Sequence, residues 1–96
     1  TKELEEFIDY TIETLLSALR AWEEDEPTYA VAVRDREARI DKQEERLRRA
    51  HIDRLNQTLC SPISGVIFLD IISNLERIGD HAANIAEVYL GEETHF

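Results

Sequence analysis

Apolar residues in this chain recur every three or four positions over three long segments, and a proline marks each interruption of the pattern. The first segment ends in the acidic run 23–26, and Pro27 follows where a proline suits the first turn of a new helix. The second ends before Ser61 and Pro62, which suit the N-cap and first position of a third helix. Because the 96 residues include only 3 Gly and 2 Pro, few other breaks are available. The sequence therefore predicts three helices, at about 2–24, 28–59 and 62–90.

The connections between these helices are short, so consecutive helices are expected to run antiparallel. We predict an all-α fold, a three-helix up-down-up bundle over residues 1–91, with Gly91 as C-cap and 92–96 as a frayed tail. The predicted apolar face of the first helix comprises Leu4, Ile8, Thr11, Ile12, Leu15, Ala18, Leu19 and Trp22. That of the third comprises Ile67, Ile71, Leu75, Ile78, Ala82, Ile85 and Tyr89. Gly79, near its edge, costs about 1 kcal/mol relative to Ala and so indicates a close helix contact or room beside a ligand.

Composition restricts the partners of such a bundle. A net charge of −10 argues against nucleic acid and against an anionic membrane surface. It also repels free phosphate, unless a bound metal inverts the local sign of the charge. No apolar stretch approaches the ~20 residues of a membrane span, so this segment is not expected to insert into a membrane. Cys60 is alone, which fits a reducing, cytoplasmic compartment, and the start at Thr1 without any Met favours a domain excised from a longer protein.

Two pairs of carboxylates are the residues that most clearly indicate a binding site in this sequence. Glu37 and Asp41 lie four residues apart on the second helix, and Glu76 and Asp80 lie four apart on the third. Each pair therefore projects from one strip of its helix, where two like charges cost a few tenths of a kcal/mol unless a cation lies between them. On neighbouring helices the two pairs could surround a cation, and oxygen ligands suit iron, manganese, magnesium or calcium. Other residues near enough to join are Glu45, His81 and Asn84.

The helical period predicts where these carboxylates point. At 100° per residue, Glu76 and Asp80 lie on the far side of the third helix from its apolar face, while Glu37 and Asp41 flank that of the second. Such a site would be on the surface, because the Glu-x-x-His pattern of a buried di-metal bundle is absent. A charged helix face is commonly just solvated, and Arg77 could neutralise either carboxylate. From spacing alone, a metal site and a solvated face both remain open.

Other residue types point away from catalysis. The sequence contains no nucleophile with an adjacent base, no glycine-rich phosphate loop and no zinc-ligand spacing, so an enzyme is not expected. His51 falls near the apolar side of the second helix, where a hydrogen-bonded core histidine is expected rather than a ligand. Glu44 interrupts the same apolar side and is an alternative acid on that helix.

Three segments carry a resemblance to a known family: His51-Ile-Asp-Arg-Leu55, Cys60-Ser-Pro62 and Leu75-Glu-Arg-Ile-Gly-Asp-His-Ala-Ala-Asn-Ile-Ala-Glu87. Together they resemble the PhoU family of phosphate-uptake regulators. More narrowly, they are similar to the PhoU-like domain at the C-terminus of bacterial sodium/phosphate cotransporter-type membrane proteins. The resemblance covers about residues 37–90, and only the apolar pattern extends it to the first helix.

This resemblance implies a three-helix repeat, often duplicated to six helices, with metal clusters on its surface held by a Glu/Asp-x-x-x-Asp motif. Glu37 to Asp41 and Glu76 to Asp80 match that motif, so iron, manganese, magnesium or zinc is the implied cofactor, with no organic cofactor. Only one repeat is present, so a second lies upstream, is missing or comes from another chain, and a homodimer is expected. The second helix also offers alternative acids, namely Asp35, Glu44 and Glu45.

The function that follows from the resemblance is non-enzymatic regulation of inorganic phosphate uptake on the cytoplasmic side of the membrane. The expected partner is a membrane transporter domain, of the same protein or of another, and bound metal could allow the acidic surface to bind phosphate. The alternative is a metal-free helical module for protein docking or oligomerisation, in which the acidic faces only recognise a basic partner or maintain solubility.

Overall fold

Three helices make up the computed structural model, which describes residues 2–57 and 61–91: α1 (Lys2–Glu24), α2 (Pro27–Asn56) and α3 (Pro62–Tyr89). Each helix packs against the other two. The Trp22 indole nitrogen donates a hydrogen bond to the Ile85 carbonyl at 3.2 Å, so the C-terminal ends of α1 and α3 lie together. Because only a tight turn joins α1 to α2, α2 runs opposite to both. The predicted up-down-up bundle is confirmed.

Local sequence signals explain where α2 begins. The Glu26 carboxylate accepts hydrogen bonds from the Thr28 amide at 3.3 Å and the Thr28 hydroxyl at 3.0 Å, which caps the helix N-terminus beside Pro27. Asp25 completes the turn with φ 50°, a conformation that Asp tolerates better than most residues.

The ends of α3 follow the same rules. The Ser61 hydroxyl accepts from the Ser64 amide at 3.2 Å, and Gly91 adopts φ 77° directly after the C-cap, as expected of glycine. Helix α2 ends at Asn56, three residues before the predicted end at about 59, and Gln57 caps it. Residues 58–60, with Cys60, and the tail 92–96 lie outside the described residues.

The core is graded in residue size along the bundle. At the end formed by the α1–α2 turn the buried residues are small, namely Ala18, Ala21, Ala30, Val33, Ala82 and Ala86. Towards the other end they are larger, namely Phe7, Ile40, Leu47, Ile72 and Leu75. Small side chains allow helices to approach closely.

The buried faces of α1 and α3 agree with the predicted ones in part. Thr11, Ala18, Leu75 and Ala82 are buried, and other predicted residues pack half-buried against the core, namely Leu4, Ile8, Leu15, Ile71, Ile78, Ile85 and Tyr89. The faces differ at other positions. On α3 the buried residues are Gly65, Ile72, Leu75, Gly79, Ala82 and Ala86, whereas Ile67 is 55% exposed. On α1 they are Phe7, Thr11, Thr14, Ala18 and Ala21, whereas Ile12 is 45% exposed. Both helices are apolar over a broad arc, and the strip that packs closest is the one rich in small residues rather than the one with the largest side chains.

Large apolar side chains remain on the surface of all three helices, and on α2 these are Val31 and Ile52. On α1 these are Ile12, Leu16, Leu19 and Trp22, and on α3 they are Ile63, Val66, Ile67 and Val88. Even so, none of the described helices combines the length and the apolar character that crossing a membrane requires.

Candidate metal centre between α2 and α3

Three of the four predicted ligands come together across the surface between α2 and α3. Glu37 and Asp41 of α2 and Asp80 of α3 each offer a carboxylate oxygen, and these oxygens all lie within 4.8 Å of one another. Glu37 is half-buried, while Asp41 and Asp80 are exposed. Since hard cations bind carboxylate oxygens at about 2.0–2.6 Å, oxygens this close can share one cation after small side-chain movements.

A close backbone approach places the carboxylates opposite one another. Gly79 is buried, and a Cβ there would lie 3.2 Å from Cγ2 and 3.3 Å from Cδ1 of Ile40. Ile40 directly precedes Asp41, and Gly79 directly precedes Asp80. Of the two explanations for this mid-helix glycine, the structure shows the close helix contact.

The predicted direction of Glu76 and Asp80 was wrong. They do not lie on the far side of α3 from the core; they lie on the flank of α3 that faces α2, because the buried face includes Ile72 and Gly79 rather than Ile71 and Ile78. The surface position of the site is nevertheless retained, since Asp80 remains exposed.

Glu76, the fourth predicted ligand, lies beside the group formed by the other three carboxylates. Its oxygens are not among those that lie within 4.8 Å of one another. Burial raises the pKa of Glu76, and the neighbouring charges of Glu44, Asp80 and Asp41 raise it further, in that order. The cluster therefore continues along the α2–α3 boundary as a row of acids, with Glu76 next to Glu44.

Glu44 is the residue that sequence reasoning undervalued. It is only 6% exposed, and the Arg48 Nε donates to its Oε1 at 2.6 Å. Arg48 also donates from Nη2 to the Ser73 hydroxyl at 2.8 Å, which links α2 to α3. The signal was present, because a glutamate at an apolar position of an amphipathic helix must be paired if it is buried.

The pKa values of Glu37 and Asp41 are raised because these carboxyls are partly buried and lie close to other acids. Burial is the main cause that raises the pKa of Glu37 to about 7, and contacts with Asp41 and Asp80 add to it. Burial also raises the pKa of Asp41, although its hydrogen bond with Glu37 acts in the opposite direction. Glu37 therefore keeps its proton to higher pH than an ordinary glutamate and can donate it in the hydrogen bond to Asp41. A cation would relieve the same repulsion and displace that proton.

The remaining candidate ligands lie outside this group. Glu45 and His81 are exposed and not among the three, and Asn84 is half-buried one turn beyond Asp80. Glu45 contributes only at a distance, by raising the pKa of Asp41. Arg77 is exposed, and the arginine that neutralises an acid in this row is Arg48.

His51 occupies the core position that the sequence predicts. It is 4% exposed, and its ring stacks on Phe68 with centroids 4.2 Å apart and planes 20° apart. Burial lowers its pKa, and the charge of Arg54 lowers it further, so the ring is neutral at pH 7.

Comparison with known proteins agrees with this architecture. The chain is 29% identical over 93 residues to the phosphate-specific transport system accessory protein PhoU homolog 1 of Thermotoga maritima. That alignment covers 97% of this chain and 40% of the relative, so the chain spans less than half of the relative's length. No solved structure gave a significant match. The sequence profile of the PhoU domain matches residues 4–89, which include all three helices and both carboxylate pairs, and the chain therefore belongs to the PhoU domain family.

Proposed function

We propose that this PhoU domain is a non-enzymatic regulator of inorganic phosphate uptake that carries a metal site between α2 and α3. The family and the relative's name, an accessory protein of phosphate-specific transport, support the phosphate role. The observation that carries the metal site is the convergence of Glu37, Asp41 and Asp80, from two helices, within 4.8 Å.

The ligand set favours a hard or borderline cation. Iron, manganese, magnesium or zinc would be held by Glu37, Asp41 and Asp80, and a rotation of Glu76 would add a fourth oxygen. Without a cation, three acids share a small surface in a chain of net charge −10. A bound cation would supply local positive charge, and phosphate could then bind to a surface that otherwise repels it. No organic cofactor is part of this proposal.

We place the domain on the cytoplasmic side of a membrane, where it regulates by contact with a transporter domain of its own protein or of a partner. A sodium/phosphate cotransporter-type protein is the specific candidate, supported by the resemblance of segments 51–55, 60–62 and 75–87. Homodimerisation is part of the proposal, since α1 and α3 expose large apolar side chains that a second copy would cover. In the relative, which is more than twice as long, further helices of the same chain could cover such faces.

Elemental analysis of the purified chain, before and after dialysis against chelator, tests the metal site. We expect about one or more equivalents of iron, manganese, magnesium or zinc, lost in Asp80→Asn and in Asp41→Asn. Asp70→Asn is the matched control, because Asp70 is an exposed aspartate on α3 that is not one of the three carboxylates. Equal metal content in all four proteins, or none after incubation with excess ions, would reject the site.

Phosphate binding is tested separately by calorimetry with the metal-loaded and the chelated chain. The proposal expects binding only in the loaded form, and its loss in Asp80→Asn but not in Asp70→Asn. Binding of phosphate that is unaffected by chelator would contradict the role of the metal.

The exposed apolar side chains favour a second candidate, a metal-free docking or oligomerisation module. Its surface would include Ile63, Val66 and Ile67, which are 75%, 68% and 55% exposed. Elemental analysis and sedimentation together distinguish the two: the metal-free module would bind no metal, lose self-association in Ile67→Lys and keep it in the triple variant Glu37→Gln/Asp41→Asn/Asp80→Asn. A domain that requires metal for assembly would show the reverse.

A further inference from the structure

Helix α2 carries opposite charges on its two flanks. The acids of the metal centre lie on the flank towards α3, while Arg39, Lys42 and Arg46 line a groove between α2 and α1. The groove has a volume of about 420 Å³ and is also lined by Gln43 and by three α1 residues, Glu6, Phe7 and Tyr10. It lies outside the proposed metal centre and shares no residue with it.

Within the part of the chain that the structure describes, no carboxylate lies within ion-pair distance of these three cations. The chain has 21 acidic and 11 basic residues, so most cations could find an acid nearby. Arg36 and Arg48 do so, with Glu13 and Glu44. Over residues 2–57 and 61–91, by contrast, Arg39, Lys42 and Arg46 form no ion pair. The i, i+3 and i+7 spacing directs them to one strip of α2, where their mutual repulsion is left uncompensated.

The lining suits an anion that also has an apolar part. Arginine presents N–H donors that match phosphate oxygens in pairs, and the Gln43 amide can add a donor. The half-buried Tyr10 supplies the aromatic surface of the groove, whereas Phe7, only 2% exposed, belongs to the core. The Arg36 guanidinium lies 4.0 Å from the Tyr10 ring centroid and donates to the Tyr10 carbonyl at 3.1 Å, which holds that ring in place.

Volume and charge decide the class of ligand. A groove of about 420 Å³ lies in the range of small-molecule sites and far exceeds the size of one phosphate ion. Three cations against the single carboxylate of Glu6 fit a group with two or more negative charges. We propose that this α1–α2 groove binds a phosphorylated organic anion of nucleotide size, with its phosphates on Arg39, Lys42 and Arg46 and its organic part against the exposed part of the Tyr10 side chain.

The net charge of the chain does not prevent this binding. At physiological salt, charges beyond about 8 Å are largely screened, so the local balance at the groove determines whether an anion is attracted. Glu6 is the carboxylate that lines the groove, and its negative charge opposes the binding of an anion. Its neutralisation should therefore strengthen binding, an effect that a groove without an anion site would not show.

NMR titration of the isotopically labelled chain, at about 0.15 M salt with chelator present, tests the proposal. The probes are ADP and pyrophosphate, which carry the same number of phosphates with and without an organic part. We expect ADP to shift the amide signals of segments 6–10 and 39–46 and to bind at least tenfold tighter than pyrophosphate. Arg39→Gln and Arg46→Gln should each weaken ADP binding about tenfold or more, and Glu6→Gln should tighten it severalfold.

Arg49→Gln is the matched control, because Arg49 is an exposed arginine on α2 outside the groove. It should change ADP affinity less than twofold. If Arg49→Gln weakened ADP binding equally, or if the shifted signals were scattered over all three helices, ADP would be attracted only by positive charge in general. Either result would overturn the site. Equal affinity for ADP and pyrophosphate would overturn the organic ligand. Circular dichroism checks that each surface variant remains folded. The chelator removes metal ions, so that ADP cannot bind through a metal at Glu37, Asp41 and Asp80.

Discussion

Gly79 of α3 packs against Ile40 of α2 so closely that a Cβ at position 79 would lie 3.2 Å from Ile40 Cγ2. This contact determines the separation of the two helices at the level of Asp41 and Asp80, the next residues along each chain segment. Because Gly79 has no side chain, the helices can pack closely here, and this close packing brings the carboxylates of the candidate metal centre together.

Replacement of Gly79 by valine should separate these helices. Overpacking of this kind typically costs about 1–3 kcal/mol, so Gly79→Val should lower the free energy of unfolding in urea by that amount. Arg77→Val is the control, because it places the same β-branched residue on the exposed side of α3. Helix propensity alone would make Gly79→Val slightly stabilising and Arg77→Val slightly destabilising, so a neutral or stabilising Gly79→Val would show that the contact with Ile40 tolerates a side chain.

The buried Glu44 depends on Arg48 for compensation of its charge. Removal of one partner of a buried ion pair leaves a charge without a counterion, which costs up to 3–5 kcal/mol when burial is complete. Because Arg48 is partly exposed, we expect Arg48→Met to lower the free energy of unfolding by about 2 kcal/mol. Glu44→Gln in the same chain should restore about half of that loss.

A double-mutant cycle in urea measures this coupling. The single variants, the double variant and the parent are compared at pH 7. Strictly additive losses would mean that the two side chains do not stabilise one another.

The pKa of Glu37 predicts how stability varies with pH in the absence of metal. Its folded-state pKa is about 7, above the ordinary value of 4.5, so the folded state binds the proton more tightly than the unfolded chain. Its favourable contribution is therefore present at low pH and is lost as the pH rises from about 4.5 through about 7. The raised pKa values of Asp41 and Glu76 act in the same direction.

Glu37→Gln should accordingly flatten the fall in stability over this range. At pH 8 it should raise the free energy of unfolding by roughly 1 kcal/mol, after allowance for solvent screening of a half-buried group. Thermal unfolding with chelator at several pH values gives the measurement, with Glu45→Gln on the exposed side of α2 as control. The lowered pKa of His51 makes stability rise with pH over part of this range, so the comparison is between variants: the same dependence on pH in the parent and in Glu37→Gln would contradict the expectation.

Arg36 joins α1 to α2 through its planar guanidinium. Its Nε donates to the Thr14 hydroxyl at 2.8 Å and its Nη2 to the Tyr10 carbonyl at 3.1 Å, while Thr14 donates to the same carbonyl at 2.8 Å. Lysine cannot reproduce this fork, so Arg36→Lys should cost about 1–2 kcal/mol. Arg49→Lys, on the exposed side of α2, should be neutral in the same urea experiment. An equally neutral Arg36→Lys would show that a point charge suffices.

The predicted helix starts were accurate because their causes are local. A proline with an acidic N-cap at 26–28 and a serine N-cap at 61 act within one turn, so neighbouring residues alone specify them. The end of α2 was placed three residues too late, since no glycine or proline marks Asn56 and the apolar pattern continues past it.

The candidate site was predicted in part. Glu37, Asp41 and Asp80 were identified because an i, i+4 pair shares a strip in any helix. The pairing of Glu44 with Arg48 across one turn was likewise readable, but the burial of Glu44 was not. The side of α3 that carries Glu76 and Asp80 was wrong, because the largest apolar residues were assumed to face inwards.

The three helices, their N-terminal caps and the two carboxylate strips follow from local sequence, since each depends on residues within about four positions of one another. Which face of α1 and α3 is buried, and which acids meet across helices, follows from tertiary packing. That choice depends on how closely the helices can approach. Gly79 and the small core residues at 18, 21, 82 and 86 allow the closest approach on one particular face, and their packing turns Asp80 towards Glu37 and Asp41.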